Sequence, residues 1–324
     1  MILKDQLYGP VQVKETVIQA LLESAPMIRL KRINQAGASQ YLFSWKTISR
    51  YEHSVGVMLL LRKFGASLHE QIAGLLHDVP HTAFSHVADF VFANPHHEFH
   101  ELFHEDLVLK SEIGQLLKKF RIPTTVAHPE NFPLLEKDVP DLCADRIDYA
   151  LRDVYSFTHD RERVQTKLSG LTVYKNEFVF EDYYAAETFA NDYLEFDRRV
   201  WADPRETAAY VLLAQAISHA LDKRILTIDD LFKDDEYAMR ILKEKGDPFI
   251  HKKIGYLTPA FRIEEASRNH YHLFVKTKTR FVDPKIISGN KLQRLSEISS
   301  KFKKRLEDHK AAGKKGWYVH VYPQ

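Results

Sequence analysis

The spacing of apolar and polar positions changes along the chain, and the changes divide it. Between two short alternating segments the apolar residues recur at helical spacing while Gly and Pro are sparse, which predicts a helical bundle rather than a sandwich or solenoid. A helix near Ser49 to Phe64 ends at Gly65, suited to a left-handed cap, and Ser67-x-x-Glu70 forms a capping box for the next helix. That helix runs to about Asp78 and is stopped by Pro80. Further helices are predicted over His97 to Lys119, Leu142 to Tyr155, Tyr184 to Trp201 and Pro204 to Leu221. The alternating segments, Asp5 to Val13 (DQLYGPVQV) and Leu171 to Phe180 (LTVYKNEFVF), predict hairpins turning at Gly-Pro and at Lys-Asn. After about Asp235 the character changes: Tyr271 to Val282 and Trp317 to Tyr322 are β-rich in type, with a basic helix carrying Lys301, Lys303, Lys304 and Arg305 between them. The expected fold is mainly α, a helical core with short β-hairpins over residues 1–235 and a small α+β C-terminal subdomain over residues 236–324.

Composition narrows the function. At 324 residues the chain has ample sequence for a buried core and needs no disulfide or metal staple to fold. Its single cysteine, Cys143, cannot bridge internally and fits a reducing compartment. The N-terminus lacks the apolar stretch of a signal peptide and the longest apolar run, Val55 to Leu61, is too short to cross a bilayer, so a cytoplasmic protein without a membrane partner is expected. A formal net charge of +2 is not the basic excess of a general nucleic-acid binder. The basic stretch Lys301 to Lys315 is interrupted by Glu307 and Asp308, as a solvated helix face would be. What stands out is 17 histidines, many between His53 and His104.

His53, the pair His77-Asp78, and Asp145 each fall on or at the end of a different predicted helix, so three helices can bring them to one point. Imidazole nitrogen with carboxylate oxygen suits a divalent cation such as Mn, Fe, Mg, Co or Zn and leaves positions for water and a phosphate oxygen. A His-Asp dipeptide alone is ordinarily a helix-end pair. Here Ile72-Ala73-Gly74-Leu75-Leu76 leads into it, and an unpaired carboxylate at the end of a core helix would cost several kcal/mol that a cation offsets. Asp145, Tyr149 and Asp153 recur at every fourth position, aligning a ligand, a phenol and a second carboxylate on one helix face. Arg50 and Arg146 offer fixed positive charge for phosphate. His81, His86 and His104, each alone an ordinary buried histidine, become acid–base candidates beside a cation.

Gln35-x-Gly37, RYEHSVGV at Arg50 to Val57, HDVPHTAFSH at His77 to His86, His104-Glu105 and DRIDYALRD at Asp145 to Asp153 resemble the HD-domain phosphohydrolases, in particular their deoxynucleoside triphosphate triphosphohydrolase branch. The resemblance covers Asp5 to about Asp235. It implies an HD helical bundle, a metal on His53, His77, Asp78 and Asp145, and phosphate contacts from His81, His86, His104 and Arg146, with one histidine acting as proton donor or water activator. It further implies that Gln35, Arg50, Tyr149 and Asp153 line the sugar and phosphate pocket, that Trp201 stacks a base, and that the protein is a homo-oligomer acting on a nucleotide or other phosphorylated small molecule. Two departures limit the transfer. Pro80 stands where the family commonly has Gly, and Tyr193 and Ala202 stand where base-reading polar residues are expected.

Rival readings remain. His100-Glu101-Leu102-Phe103-His104 matches the HExxH pattern of zinc proteases, but no Gly-x-x-His follows to supply a third ligand, although a distant Glu130 or Glu136 is available. Hydrolysis of another nucleotide monoester or diester, and a non-enzymatic metal- and nucleotide-binding regulator, are the alternatives within the same fold.

Overall fold

A computed structural model of the chain describes residues 1–92, 99–276, 278–313 and 315–322, the side chains of His100 and Glu101 excepted. The chain opens with a hairpin, β1 (Ile2–Asp5) and β2 (Gly9–Gln12). Its turn is not at Gly-Pro. Asp5 Oδ1 accepts from the N–H groups of Leu7 (2.8 Å) and Tyr8 (3.0 Å), which closes the turn over residues 6–8 and leaves Gly9-Pro10 to begin β2. Helices α1 (Thr16–Glu23) and α2 (Ala25–Arg29) lead through 3-10 turns to α3 (Arg50–Lys63). Ser49 and Glu52 form a reciprocal capping box there, and Gly65 closes the helix at φ +75°. In α4 (Leu68–Leu76) only half of the expected box exists: Ser67 Oγ accepts from Glu70 N–H, but the Glu70 carboxylate accepts instead from Leu134 N–H at 2.8 Å.

After α5 (Val87–Val91), the long helix expected over His97 to Lys119 is broken up. A 3-10 turn over Phe99–Phe103 precedes α6 (His104–Leu109) and α7 (Glu112–Lys119), and Ser111 caps the latter through Ile113 N–H; His97 lies outside the described residues. Next come α8 (Ala144–Thr158), α9 (Arg161–Ser169) and the hairpin β3 (Leu171–Tyr174) and β4 (Glu177–Phe180). Here the Lys-Asn turn is as expected, with φ of 50° at Lys175 and 60° at Asn176, the positive pair a tight hairpin requires. Helix α10 (Tyr183–Phe196) passes into a π-helical turn at Asp197–Trp201, then α11 (Pro204–Asp222), α12 (Ile228–Leu231), α13 (Asp235–Lys245) and α14 (Pro248–Ile254) follow. The remainder is β5 (Arg262–Glu265), β6 (Leu273–Val275), β7 (Lys285–Ser288), β8 (Lys291–Arg294), α15 (Leu295–Ile298), α16 (Ser300–Ala312) and β9 (Trp317–Tyr322). Of the β-rich stretch Tyr271 to Val282, only β6 is strand, because it pairs with three residues of β9 and then leaves the sheet.

The fold is therefore mainly α, with small sheets ordered β1-β2, β3-β4-β7-β8 and β5-β9-β6. One apolar core gathers α3, α4, α8 and α10, and also takes Val282, Ile286, Leu295, Phe302 and Leu306; a second gathers α11, α13 and α14 with Ala83, Phe84 and Val87. Helix α3 is central, buried all round from His53 to Leu61 as an apolar helix must be. Gly56 lets it lie against α8: a Cβ there would fall 1.8 Å from Arg152 Nη2 and 2.3 Å from Asp148 Oδ1. Among the described residues, no helix is long and apolar enough to cross a membrane.

Candidate metal centre

Helix α3 brings His53, the end of α4 brings His77 and Asp78, and the first turn of α8 brings Asp145. One donor atom each of His53, His77 and Asp145 lies within 4.8 Å of the others. His53 Nε2 is 2.9 Å from Asp145 Oδ1, and His77 Nε2 is 3.6 Å from the same oxygen. Asp78 lies against the group, 3.5 Å from His77 Nε2 and 3.9 Å from His53 Nε2, while its carboxylate also receives Arg50 Nη1 (2.9 Å) and stands 3.2 Å from His81 Nε2.

Both histidines are oriented from behind. His77 Nδ1–H donates to the Gly74 carbonyl (2.7 Å), leaving Nε2 toward the cluster, where it is buried and has no hydrogen-bond partner among the described residues. His53 Nδ1–H donates to Asp148 Oδ2 (2.8 Å). Asp148, wholly buried, also accepts from Arg152 Nε (2.6 Å) and, on its other oxygen, from Tyr8 Oη (2.7 Å); Arg152 Nη2 in turn reaches Asp5 Oδ2 (2.7 Å). The turn of the N-terminal hairpin is thus the outer end of a buried charge ladder that fixes His53.

The electrostatics fit a cation. Burial alone would lower the pKa of His53, but hydrogen bonds to Asp145 and Asp148 outweigh it and push the ring up to about 9. His77 is raised likewise, against burial, by Asp78 and Asp145. Burial opposes ionisation of Asp78 and Asp145 too, yet Arg50 and the histidines hold the first, and the two histidines the second, well below the usual carboxylate range. Anionic oxygens, imidazoles that gather protons onto the nitrogens facing them and an unpartnered buried Nε2 together make a donor set for which a divalent cation is the natural counter-charge.

Pro80 does not remove His81 from the site. Arg29 clamps the turn by donating to the carbonyls of Val79 (2.5 Å) and His81 (2.9 Å). Beyond it Phe84 and Ser85 take positive φ, 61° and 53°, a conformation non-glycine residues hold only when the surroundings enforce it. Asp235, at the start of α13, enforces it: one carboxylate oxygen accepts from Phe84 N–H (2.6 Å), the other from Asn34 N–H (3.0 Å) and Gln40 Nε2 (2.8 Å), and burial lifts its pKa to about 6. Ser85 Oγ accepts from Arg50 Nε (2.9 Å) and donates to the Asn34 carbonyl (2.7 Å). Gly37 sits in this contact, since a Cβ would lie 2.5 Å from the Phe84 carbonyl oxygen. The loop sets His81 and His86 with ring centroids 5.0 Å apart, and His86 Nδ1 bonds to Asp89 Oδ2 at 3.0 Å.

The remaining candidates fall around this centre. His104 is buried and donates through Nε2 to the Leu76 carbonyl (3.3 Å), next to His77, and burial depresses its pKa to about 4. The HExxH stretch is a 3-10 turn running into α6 rather than one α-helix, and the side chains of His100 and Glu101 lie outside those described. Glu136, exposed at the surface, approaches Asp145 instead, and partial desolvation followed by that neighbouring charge raises its pKa. Tyr149 and Asp153 continue along α8 from Asp145. The Tyr149 hydroxyl is hydrogen-bonded to that of Tyr193, and Asp153 accepts from Trp201 Nε1 (2.6 Å), whose ring meets Tyr149 edge-on at 5.3 Å. Arg146 is turned toward the carbonyls of Asp141 (2.6 Å) and Lys137 (3.1 Å). Gln35 is half-buried, and its N–H donates to the Ile48 carbonyl (2.9 Å). The ladder Asp148–Arg152–Asp5 and the clamp Asp235 were missed from sequence. Asp148 and Arg152, four residues apart on α8 opposite a helical glycine, were the available signal.

Residues 50–152 match the family model described as the HD domain. Over its whole length the chain is 36% identical to the whole of the protein YdhJ of Bacillus subtilis. It is 35% identical over 230 residues to the metal-dependent phosphohydrolase cns2 of Cordyceps militaris, covering 68% of this chain and 67% of that protein. Among solved structures, a phosphohydrolase from Bacteroides thetaiotaomicron superposes with a TM-score of 0.74 over the full length of both chains at 18% identity.

Proposed function

The chain belongs to the HD-domain metal-dependent phosphohydrolases, and from that premise we propose that its substrate is a nucleoside triphosphate, preferentially the deoxy form, cleaved to nucleoside and tripolyphosphate. The observation that carries this reading is the direct continuation of the His53–His77–Asp145 donor cluster into Tyr149 and Asp153 along the same helix. Phosphorus-activating chemistry and a polar strip able to read a sugar share one face.

His53, His77 and Asp145, with Asp78 beside them, would hold a divalent cation, which would supply charge to a phosphate oxygen and acidity to a water. The rest falls to the protein. Asp148 keeps the proton on His53 Nδ1, so Nε2 is the donor. Arg50, locked by Asp78 and Ser85, presents fixed positive charge at the edge of the cluster. His86, aligned by Asp89, is positioned to give a proton to the leaving nucleoside oxygen, and the buried, neutral His104 shields the cluster from water. Asp153 accepts from a sugar hydroxyl and Tyr149 packs at the 2′ side, which disfavours ribonucleotides.

Product analysis with a panel of deoxy- and ribonucleotides under Mn, Mg, Fe, Co and Zn tests this. We expect tripolyphosphate as the inorganic product, with activity and bound metal lost together in His77→Ala. Orthophosphate or pyrophosphate as the sole product would refute the triphosphohydrolase reading in favour of another hydrolysis at the same centre.

A further inference from the structure

Among the described residues, one guanidinium whose charge reaches groups around this centre is uncommitted. Arg280 lies in the connection between β6 and β7, and its main chain is fixed on both sides. Its N–H donates to Asp197 Oδ2 (3.1 Å) and its carbonyl accepts from His309 Nε2 (3.1 Å). The next residues anchor the connection in the helical core: Phe281 packs under Lys310 Nζ at 4.0 Å, and Val282 is fully buried. The Arg280 side chain is half-buried, yet among the described residues its guanidinium has neither a hydrogen-bond nor an ion-pair partner. The neighbouring Asp197 favours the charge of Arg280 from a distance without forming an ion pair with it; its Oδ2 takes the Arg280 N–H and His309 Nε2 at 2.9 Å.

The charge of Arg280 nonetheless acts on Tyr149 and Asp153 of α8, on Tyr193 of α10, and on His86 and Tyr210. Arg50 acts on two of the same groups, His86 and Tyr210, but it is held by Asp78 and Ser85. Arg146 is likewise engaged by main-chain carbonyls. Arg280 is thus the guanidinium of the three whose five N–H donors stay open among the described residues, on a backbone pinned by two hydrogen bonds. A planar fork of this kind matches phosphate oxygens, and Asp197 and the surrounding phenols favour its charge without occupying its donors.

We propose that Arg280 binds the polyphosphate tail of the substrate, a residue delivered to the HD centre by the C-terminal part of the chain. This rests on the triphosphate reading above for its substrate, and on the open guanidinium for its anion. Arg280 is a substrate-binding residue here and takes no part in proton transfer.

The test compares the Mn-loaded wild type with Arg280→Ala and Arg280→Lys, measuring calorimetric binding of inorganic tripolyphosphate at fixed salt, and kcat and KM on the best nucleotide of the panel. Losing a charge-assisted fork should weaken tripolyphosphate binding and raise KM by roughly ten- to a hundredfold, with kcat within a few-fold and metal content unchanged. Arg280→Lys should recover part of the loss, because an ammonium keeps the charge without the fork. Since the guanidinium makes no hydrogen bond or ion pair among the described residues, Arg280→Ala should melt close to the wild type. Tripolyphosphate binding equal to wild type in Arg280→Ala overturns the assignment and leaves the proposed reaction standing. If the wild type releases tripolyphosphate from no nucleotide, that failure belongs to the proposed reaction. Loss of tripolyphosphate binding in Arg280→Ala then still supports the anion site.

Discussion

Replacing Asp148 by asparagine isolates what the buried ladder does for the metal. The substitution keeps the shape of the side chain. With its amide oxygen in the place of Oδ2, the introduced asparagine still accepts from His53 Nδ1–H and Arg152 Nε–H, and its amino group meets the Tyr8 hydroxyl, which can turn to accept. Only the charge is lost. Arg152 keeps Asp5 at 2.7 Å, so the stability loss should stay below the 3 to 5 kcal/mol of a fully broken buried pair, at about 2 to 3 kcal/mol. His53, no longer backed by a carboxylate, becomes a poorer donor, and metal affinity should fall roughly ten- to a hundredfold, equivalent to about 1.4 to 2.8 kcal/mol. Titrating Mn into metal-free protein, followed by thermal unfolding of both forms, measures the two losses separately. Tyr8→Phe is the control: it removes one hydrogen bond to the other oxygen of Asp148 and should lower stability while metal affinity stays within a few-fold. If Asp148→Asn melts earlier but binds Mn as tightly as wild type, the ladder is a folding element only and the account of His53 given above is wrong.

Two further outcomes follow from buried groups around the centre. His104 holds a pKa of about 4 when folded against 6.5 when free, so the unfolded chain takes up a proton that the folded one refuses as pH falls. The contribution of His104 to stability is therefore constant above about pH 6.5 and declines between there and pH 4, by up to about 3 kcal/mol; urea unfolding of wild type and His104→Gln across that window should show the decline reduced in the variant, and parallel curves would contradict it. Asp235→Ala releases the left-handed turn at Phe84 and Ser85 and leaves two buried N–H groups without an acceptor, so we expect about 2 to 4 kcal/mol lower stability and a lower kcat with metal content intact. Loss of bound metal together with activity would show that the loop is not separable from the cluster.

Much of the fold was legible because its helices are punctuated by residues whose physics is local. Ser49 with Glu52, Gly65, Lys175-Asn176 and Pro204 mark ends within a residue or two of those observed. Where the prediction failed, a distant partner decided. Asp5 took the turn of the first hairpin away from Gly-Pro by capping Leu7 and Tyr8, Leu134 drew Glu70 out of its capping box, and β6 stopped where β9 no longer paired with it. The site divides in the same way. His53, His77, Asp78 and Asp145 were legible because imidazoles and carboxylates at the ends of apolar helices need a reason to be there. Their supports were not, because Asp148, Arg152 and Asp235 resemble any charged residue on a helix until the opposing element is known. Arg280 was hidden further, within a stretch whose β-rich composition suggested a strand.

The sheet β3-β4-β7-β8 bears on how the protein is made. Phe180 of β4 pairs in parallel with Ile286 of β7, and that pairing brings Leu295, Phe302 and Leu306 into the same core that packs α3 against α4 and α8. More than a hundred residues separate the two halves of the pairing, so the closure is of high contact order and comes late. During synthesis the segment bearing His53, His77, Asp78 and Asp145 leaves the ribosome well before the strand and helix that seal its core. For that interval its apolar face and the open edge of β4 are exposed, the condition in which a nascent chain depends on chaperones to avoid pairing with a neighbour.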